Sequence, residues 1–334
     1  MKRVAVVLLN FNGLELLKKF LKVTILHSPE ADIVLIDNCS CDNSVSWFKS
    51  NYPNLLCIQL DKNYGYAGGY NKGLKHVKNK YYALLNTDLI VTKNWLNPLI
   101  RKLEARSDIA VVQPHILDFN KKKYFEYAGA AGGFIDKYGF PYCRGRVFRT
   151  VEADKGQYNL PKEIFWASGA CFVIKSKIFW KLNGFDTDFF AHQEEIDLCW
   201  RIFNQNYKIC ALSESKVFHI GGATLPKSPN KTYLNHRNSL FMLIKNLPNK
   251  NKFNILLTRL FIDFIIAIYY LFSLKLLNIV SIFRAHIAFY ACFRRFAAKE
   301  VKVNKKSDYF KYKSILYAYF VRGHRYFRDL KHKN

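Results

Sequence analysis

Apolar runs and polar breaks alternate through the first ninety residues. Residues 4–9 (Val-Ala-Val-Val-Leu-Leu) form a continuous apolar run and predict a buried strand, whereas 14–26 carry apolar positions at helical spacing. Residues 33–36 predict a second strand, followed by helix-starting Ser40, Asp42, Asn43 and Ser44. Residues 55–60 predict a third, then a glycine-rich turn and a helix over 72–77. Residues 82–85 predict a fourth strand, ending at Asn86-Thr87-Asp88. Continuous apolar strands separated by helices imply an α/β fold with a mostly parallel sheet covered on both faces. In such sheets ligands bind beyond the carboxyl ends of the strands. Here those ends are polar: Asn10, Asp37-Asn38, Asp61-Lys62-Asn63 and Asp88.

Residues 118–160 lack a clear period and suggest an insertion or acceptor-facing loop. A strand over 165–174 and an acid-rich helix over 194–203 complete the first domain, residues 1–225. The remainder, 226–334, reads as a helical, basic and apolar region. Its runs at 255–274 and 276–283 are broken by Arg259, Asp263 and Lys275, and the longest uncharged stretch, 264–274, is shorter than the ~20 residues a spanning helix needs. Fourteen Lys/Arg against three acids follow from Arg284 onward. That pattern favours helices lying on an anionic membrane surface over simple packing on the first domain, and over a span.

Composition narrows the classes. With 334 residues, half of them hydrophobic and 16% aromatic, the chain can bury a sizeable core. The formal charge of +27 requires an anionic partner: nucleic acid, lipid headgroups or a phosphorylated substrate. No helix-turn-helix, zinc-finger or RNA-binding signature accompanies the basic residues, so no nucleic acid is expected, although a basic nucleic-acid-binding protein is the rival reading. The eight cysteines show no zinc spacing and predict reduced, cytoplasmic core thiols. The start of the chain reads as a buried strand, not a secretion signal.

Candidate chemistry sits in four places. Asp37-Asn38-Cys39-Ser40-Cys41-Asp42 is, by residue type, a strand end and helix cap, with Asp37 as a possible ribose or base acceptor. The stretch from Asn63 to Gly73 matches neither a dinucleotide fingerprint nor a Walker loop, but its glycines permit close backbone approach. Asp88 ends an apolar strand, where a carboxylate can hold a hard cation against a diphosphate. Glu194, Glu195 and Asp197 crowd one helical turn beside apolar Ile196, Trp200 and Phe203. Exposed acids at a helix start answer the macrodipole, and Asp197 with Arg201 makes an i,i+4 pair. Adjacent carboxylates against apolar surface, however, have one pKa raised, as a general base requires. His219 follows a short apolar run, where a lone histidine is more often structural.

In order, Val7–Gly13, Ile36-Asp37-Asn38-x-Ser40-x-Asp42-x-Ser44, Asn63-x-Gly65-x-Ala67-Gly68-Gly69, Leu85–Asp88, Gly169-Ala170-Cys171, Gly184-Phe185-Asp186, Glu194-Glu195-x-Asp197-Leu198-x-Trp200-Arg201 and His219 resemble glycosyltransferase family 2, particularly the rhamnosyltransferase-like members of bacterial polysaccharide synthesis. The resemblance implies a GT-A nucleotide-diphospho-sugar transferase fold and inverting transfer to a glycan or lipid-linked acceptor. It implies that Asn10, Asn12, Asp37, Asn63, Gly69, Asn86, Asp88, Trp200 and Arg201 serve the nucleotide sugar, and that Asp88 and His219 hold Mg²⁺ or Mn²⁺. Glu195 falls at the catalytic base, with Glu194 as the alternative. Asn86 stands where the family's metal motif has its first Asp, which keeps an inactive relative in view. No Gln-x-x-Arg-Trp occurs, which implies one sugar per acceptor visit. The implied location is the cytoplasmic face of the cell membrane.

Overall fold

The computed structural model describes residues 1–221, 228–299 and 306–330. In chain order the elements are β1 (Val4–Asn10), α1 (Leu14–Leu26), β2 (Ala31–Asp37), α2 (Ser44–Asn51), β3 (Leu56–Gln59), α3 (Gly65–Leu74), β4 (Tyr81–Asn86), β5 (Leu89–Val91), α4 (Leu96–Ala105) and β6 (Ile109–Asp118). Then follow β7 (Gly133–Ile135), β8 (Pro141–Cys143), β9 (Arg146–Val147), β10 (Thr150–Val151), β11 (Lys162–Ile164), β12 (Cys171–Lys175), α5 (Ser176–Lys181), α6 (Glu194–Asn204) and β13 (Lys208–His219). Among the described residues the C-terminal α-helices are α7 (Pro229–Asn246), α8 (Asn249–Phe272), α9 (Leu276–Ala298) and α10 (Ile315–Phe320).

Nine strands form the main sheet in the order β11-β13-β6-β12-β4-β1-β2-β3, with β5 on β13. The β3-β2-β1-β4 half is parallel, as its apolar runs predict. Its register aligns Asn10 with Asp37 and Leu9 with Asn86, which brings the carboxyl ends of these strands level. The other half is mixed: β12 runs antiparallel to β4 and β6, while β13 is parallel to β6. The insertion folds as a small antiparallel sheet, β10-β9-β8-β7.

Helix α3 begins at Gly65, well before the predicted residue 72, so the glycine-rich segment is the helix itself. Gly65 has φ +69° and lies against the Phe190 carbonyl, where a Cβ would come within 2.4 Å. At Gly69 a Cβ would meet Leu9 at 2.8 Å and Asn38 at 3.2 Å. Gly69 thus lets α3 settle against β1 and the Asn38 side chain.

The C-terminal elements share the core of the α/β domain. Tyr309 packs on the fully buried Trp200 with ring centroids 4.8 Å apart, and Ile315 N–H donates to buried Asp136 at 2.9 Å. Phe241 of α7 stacks on Phe296 of α9 at 3.6 Å. Helices α8 and α9 behave differently. The buried side of α8 is one i,i+4 stripe, Ile255, Arg259, Asp263 and Ala267, so the charges that interrupt its sequence face inward. Its outer side is uninterrupted: Phe261, Phe264, Ile265, Ile268, Leu271 and Phe272 are exposed. By length and composition both helices are long and apolar enough to cross a membrane, contrary to the estimate from the longest uncharged stretch.

Candidate active site

A cavity of about 1100 Å³ opens at the carboxyl ends of β1, β2 and β4 and is closed on its far side by α7, α8 and the small sheet. Asp88, the adjacent Glu194 and Glu195, and His219, brought from three separate parts of the chain, all line it, as do Asn63 and Asn86.

The sheet delivers His219. In β13 it pairs with Leu89 of β5, one residue beyond Asp88, and Ile220 N–H donates to the Asp88 carbonyl at 3.1 Å. This register sets His219 Nε2 3.0 Å from Asp88 Oδ1, with both residues buried. On the other side, Nδ1 lies 3.5 Å from Glu126 Oε1. Burial opposes protonation of the ring, but the hydrogen bonds with Asp88 and Glu126 prevail and push its pKa up to about 10. Among the described residues no cluster of three or more His, Cys, Asp or Glu is arranged to hold a metal. Asp88 Oδ1 and His219 Nε2, 3.0 Å apart, fit a hard cation that completes its shell with phosphate oxygens and water, provided the ring gives up the proton it shares with Asp88 as the cation enters.

Helix α6 delivers the two glutamates. The preceding turn is contorted: Phe190, His192 and Gln193 all have positive φ, at 63°, 72° and 67°. Non-glycine residues hold such angles only under constraint from their surroundings. Asn238 of α7 supplies it, its Nδ2 donating to the carbonyls of Phe189, Ala191 and His192 at 2.9, 2.9 and 2.7 Å. Burial raises the Glu195 pKa, against backbone N–H groups including that of Gly169, to about 7. Burial and the neighbouring Glu195 raise Glu194 well above the usual carboxylate range. Burial thus favours the neutral form of both carboxyls, more strongly at Glu194, and Glu195 is the member poised to exchange a proton.

Several expected site residues lie elsewhere. Asn10 is fully buried and donates to Asp37 Oδ1 at 2.9 Å and to the Ser40 and Ser44 hydroxyls. Asp37 also accepts from Ser40 N–H at 2.9 Å, and Asn12 Oδ1 accepts from Cys41 N–H at 2.7 Å. All three brace the β2–α2 loop, and none lines the cavity. Asn38 and Phe11 line it in their place, with Asn38 holding Asn63 Oδ1 at 2.9 Å. Trp200 and Arg201 point away from the cavity. Arg201 bonds Asp197 at 2.8 Å and the carbonyls of Leu182 and Gly184, and Asp197 is itself buried against Lys245 and Asn246. The i,i+4 pairing explains Asp197 and Arg201; the helix after Glu195 faces the core, not the ligand.

Residues 5–182 match the profile described as glycosyl transferase family 2. The chain belongs to that family. It is 24% identical over 220 residues to the low-salt glycan biosynthesis hexosyltransferase Agl10 of Haloferax volcanii, covering 63% of this chain and 66% of that protein. It is 18% identical over 243 residues to the N-acetylglucosaminyl-diphospho-decaprenol L-rhamnosyltransferase of Mycobacterium tuberculosis, covering 68% and 79%. Among solved structures it resembles GalNAc-T7 with UDP, GalNAc and Mn²⁺, at a TM-score of 0.58 and 18% identity over 73% of this chain and 48% of that one. This likeness extends to the GT-A fold, and the chain spans about half of GalNAc-T7 and about two thirds of Agl10. Glu126, Asn238 and the cavity-lining residues of α7 and α8 lie outside every motif that carried the family resemblance.

Proposed function

We propose that this chain is an inverting, non-processive glycosyltransferase that moves a hexosyl or deoxyhexosyl unit from a nucleoside-diphosphate donor onto an acceptor hydroxyl. Its place would be cell-surface polysaccharide or lipid-linked oligosaccharide synthesis, on the cytoplasmic face of the cell membrane. The observation that carries this reading is the sharing of one cavity by Asp88, His219 and Glu195.

Glu195 takes the proton of the acceptor hydroxyl. That oxygen attacks the anomeric carbon from the face opposite the diphosphate, the bond to the diphosphate oxygen breaks, and configuration inverts. A divalent cation bound by Asp88 and His219 would supply neutralisation of the negative charge on the departing diphosphate. Asn63, Asn86 and Asn38 hold the donor from the sheet side, and the small sheet with α7 faces the acceptor. Glu194, whose carboxyl is raised further than that of Glu195, favours ionisation of Glu195 over its own.

The exposed apolar sides of α8 and α9, followed by a strongly basic tail, favour attachment to anionic lipid over nucleic acid as the use of the +27 charge. A panel of nucleotide sugars, assayed for nucleoside diphosphate release with and without Mn²⁺ or Mg²⁺ and lipid-linked acceptors, tests the reading. Acceptor-dependent release from one donor is expected. Absence of release from every donor in the presence of cation overturns it.

A further inference from the structure

The cavity is electrically divided. Its acids, Asp88, Glu194 and Glu195, lie at the strand ends and the start of α6, whereas the small sheet and the C-terminal helices contribute Arg146, Arg149 and Arg259. Arg259 is 2% exposed, on a helix whose other side is apolar, and a buried guanidinium persists only when held by partners. Its Nη1 donates to the Tyr138 carbonyl at 3.0 Å, its plane lies 3.9 Å from the Phe140 ring centroid, and Asp263 is 3.5 Å from Nη2. Asp263 is shared with His236 at 3.1 Å and His286 at 3.1 Å. Arg259 Nε is buried and has no hydrogen-bond partner among the described residues. The guanidinium is thus oriented by three neighbours and keeps a donor in reserve on a cavity wall.

Arg146 adds to the field. It is buried, and among the described residues its hydrogen bonds go to neutral groups, the carbonyls of Tyr127 and Pro141 and the sulfur of Cys143, with Glu126 near enough to act on its charge. Arg149, exposed, donates to the Tyr269 hydroxyl of α8 at 3.3 Å, which sets it at the edge of the same opening. Beyond these arginines the lining turns apolar and reaches the surface: Ile265 and Tyr269 of α8, and Tyr317, Phe320 and Val321 at α10, line the cavity and are also exposed. Polar α7 joins the two ends. The Asn235 carbonyl accepts from Gln193, next to the glutamates, while the adjacent His236 contacts Asp263 beside Arg259.

We propose that Arg259, with Arg146 and Arg149, forms an anion site for the phosphate or diphosphate of a lipid-linked acceptor, whose apolar tail leaves between α8 and α10. The acceptor hydroxyl then lies at Glu195, its sugar along α7, its phosphate at Arg259, and its tail among the side chains that meet the membrane. Bidentate guanidinium contacts suit phosphate oxygens, and the apolar rim suits a polyprenyl-like chain. This site rests on the glycosyl-transfer reading for its place in a reaction, but not for its binding chemistry.

The test is calorimetric titration with farnesyl diphosphate, farnesol and inorganic pyrophosphate, in EDTA and without donor, so that cation-assisted diphosphate binding at Asp88 is silent. Farnesyl diphosphate should bind at least tenfold more tightly than either farnesol or pyrophosphate. Arg259→Gln and the exposed Arg149→Glu should each weaken it at least tenfold; should Arg259→Gln not fold, Arg149→Glu decides. Equal binding by farnesol shows that no anion is recognised, equal binding by pyrophosphate shows that no tail is, and unchanged binding by the folded variants shows that the arginines are not the site. Each of these outcomes overturns the proposal. Failure here leaves glycosyl transfer standing, because that reading is scored separately by nucleotide release.

Discussion

His219 Nε2 lies 3.0 Å from Asp88 Oδ1 although 131 residues separate them in the chain. Two strands in register, β5 and β13, close that distance, and the pair faces the same cavity as the glutamates. A carboxylate with one imidazole is a minimal protein share of a cation site, so the carboxylate should dominate affinity. Asp88→Asn is expected to abolish Mn²⁺ binding in the presence of nucleoside diphosphate, read by the loss of free-ion electron paramagnetic signal on titration. Wild-type Mn²⁺ affinity in Asp88→Asn would remove Asp88 from the site.

Glu195→Gln should lower kcat by ~10²–10⁴-fold with donor affinity nearly intact, the usual cost of losing a positioned base. The same carboxyl sets the pH profile. Burial raises its pKa to about 7, and the base acts only when ionised, so turnover should fall tenfold per pH unit below that point and level off above it. Because Glu194 and Glu195 interact, the inflection belongs to the pair. Normal turnover in Glu195→Gln with a dead Glu194→Gln would move the base by one residue.

Asn238 touches no reacting atom but fixes three carbonyls of the turn that precedes α6. Asn238→Ala should reduce kcat by up to ~10²-fold, the scale expected when a catalytic group is displaced by an ångström, with little change in donor affinity. A purely structural role would lower the melting temperature without separating kcat from KM.

Asp197 is fully buried between Arg201 at 2.8 Å and Lys245 at 2.9 Å, and Lys245 also reaches Asp186 at 2.7 Å. Asp197→Ala leaves two buried cations short of a partner and should destabilise the fold by about 3–5 kcal/mol, read by urea unfolding. A loss below about 1 kcal/mol would mean that the network is not what fastens α6 to α7.

Phe264 and Phe272 are 58% and 84% exposed on the outer side of α8. The double change to Ser should leave stability unaltered and weaken co-sedimentation with anionic vesicles by roughly tenfold per residue, from ~1.5 kcal/mol or more of apolar burial each. Binding should also weaken as salt rises, since the basic flanks are screened. Unchanged sedimentation would place the membrane contact elsewhere.

The parallel half of the sheet was legible in sequence because strand burial is written locally: a run such as residues 4–9 has no polar position to turn toward water, so it must lie inside. The acids of α6 were visible for the same reason, as a charged cluster on an apolar helix. Which acid faces the ligand was not visible. Glu194, Glu195 and Asp197 lie within one turn, yet Asp197 is buried against Lys245 of a helix that begins 35 positions after α6 in the numbering of first residues, Glu194 and Pro229.

By itself, the sequence determined the elements of the parallel half of the sheet, the family motifs and the three acidic positions that line the cavity, Asp88, Glu194 and Glu195. Tertiary structure alone decided that Asn10, Asp37, Trp200 and Arg201 serve the scaffold, that Asn238 shapes the catalytic turn, and that Arg259 and Asp263 hide from solvent. The physical reason is the range of the interactions: periodicity and capping are settled within a turn or a strand, whereas a polar side chain's role depends on partners that folding brings from elsewhere in the chain.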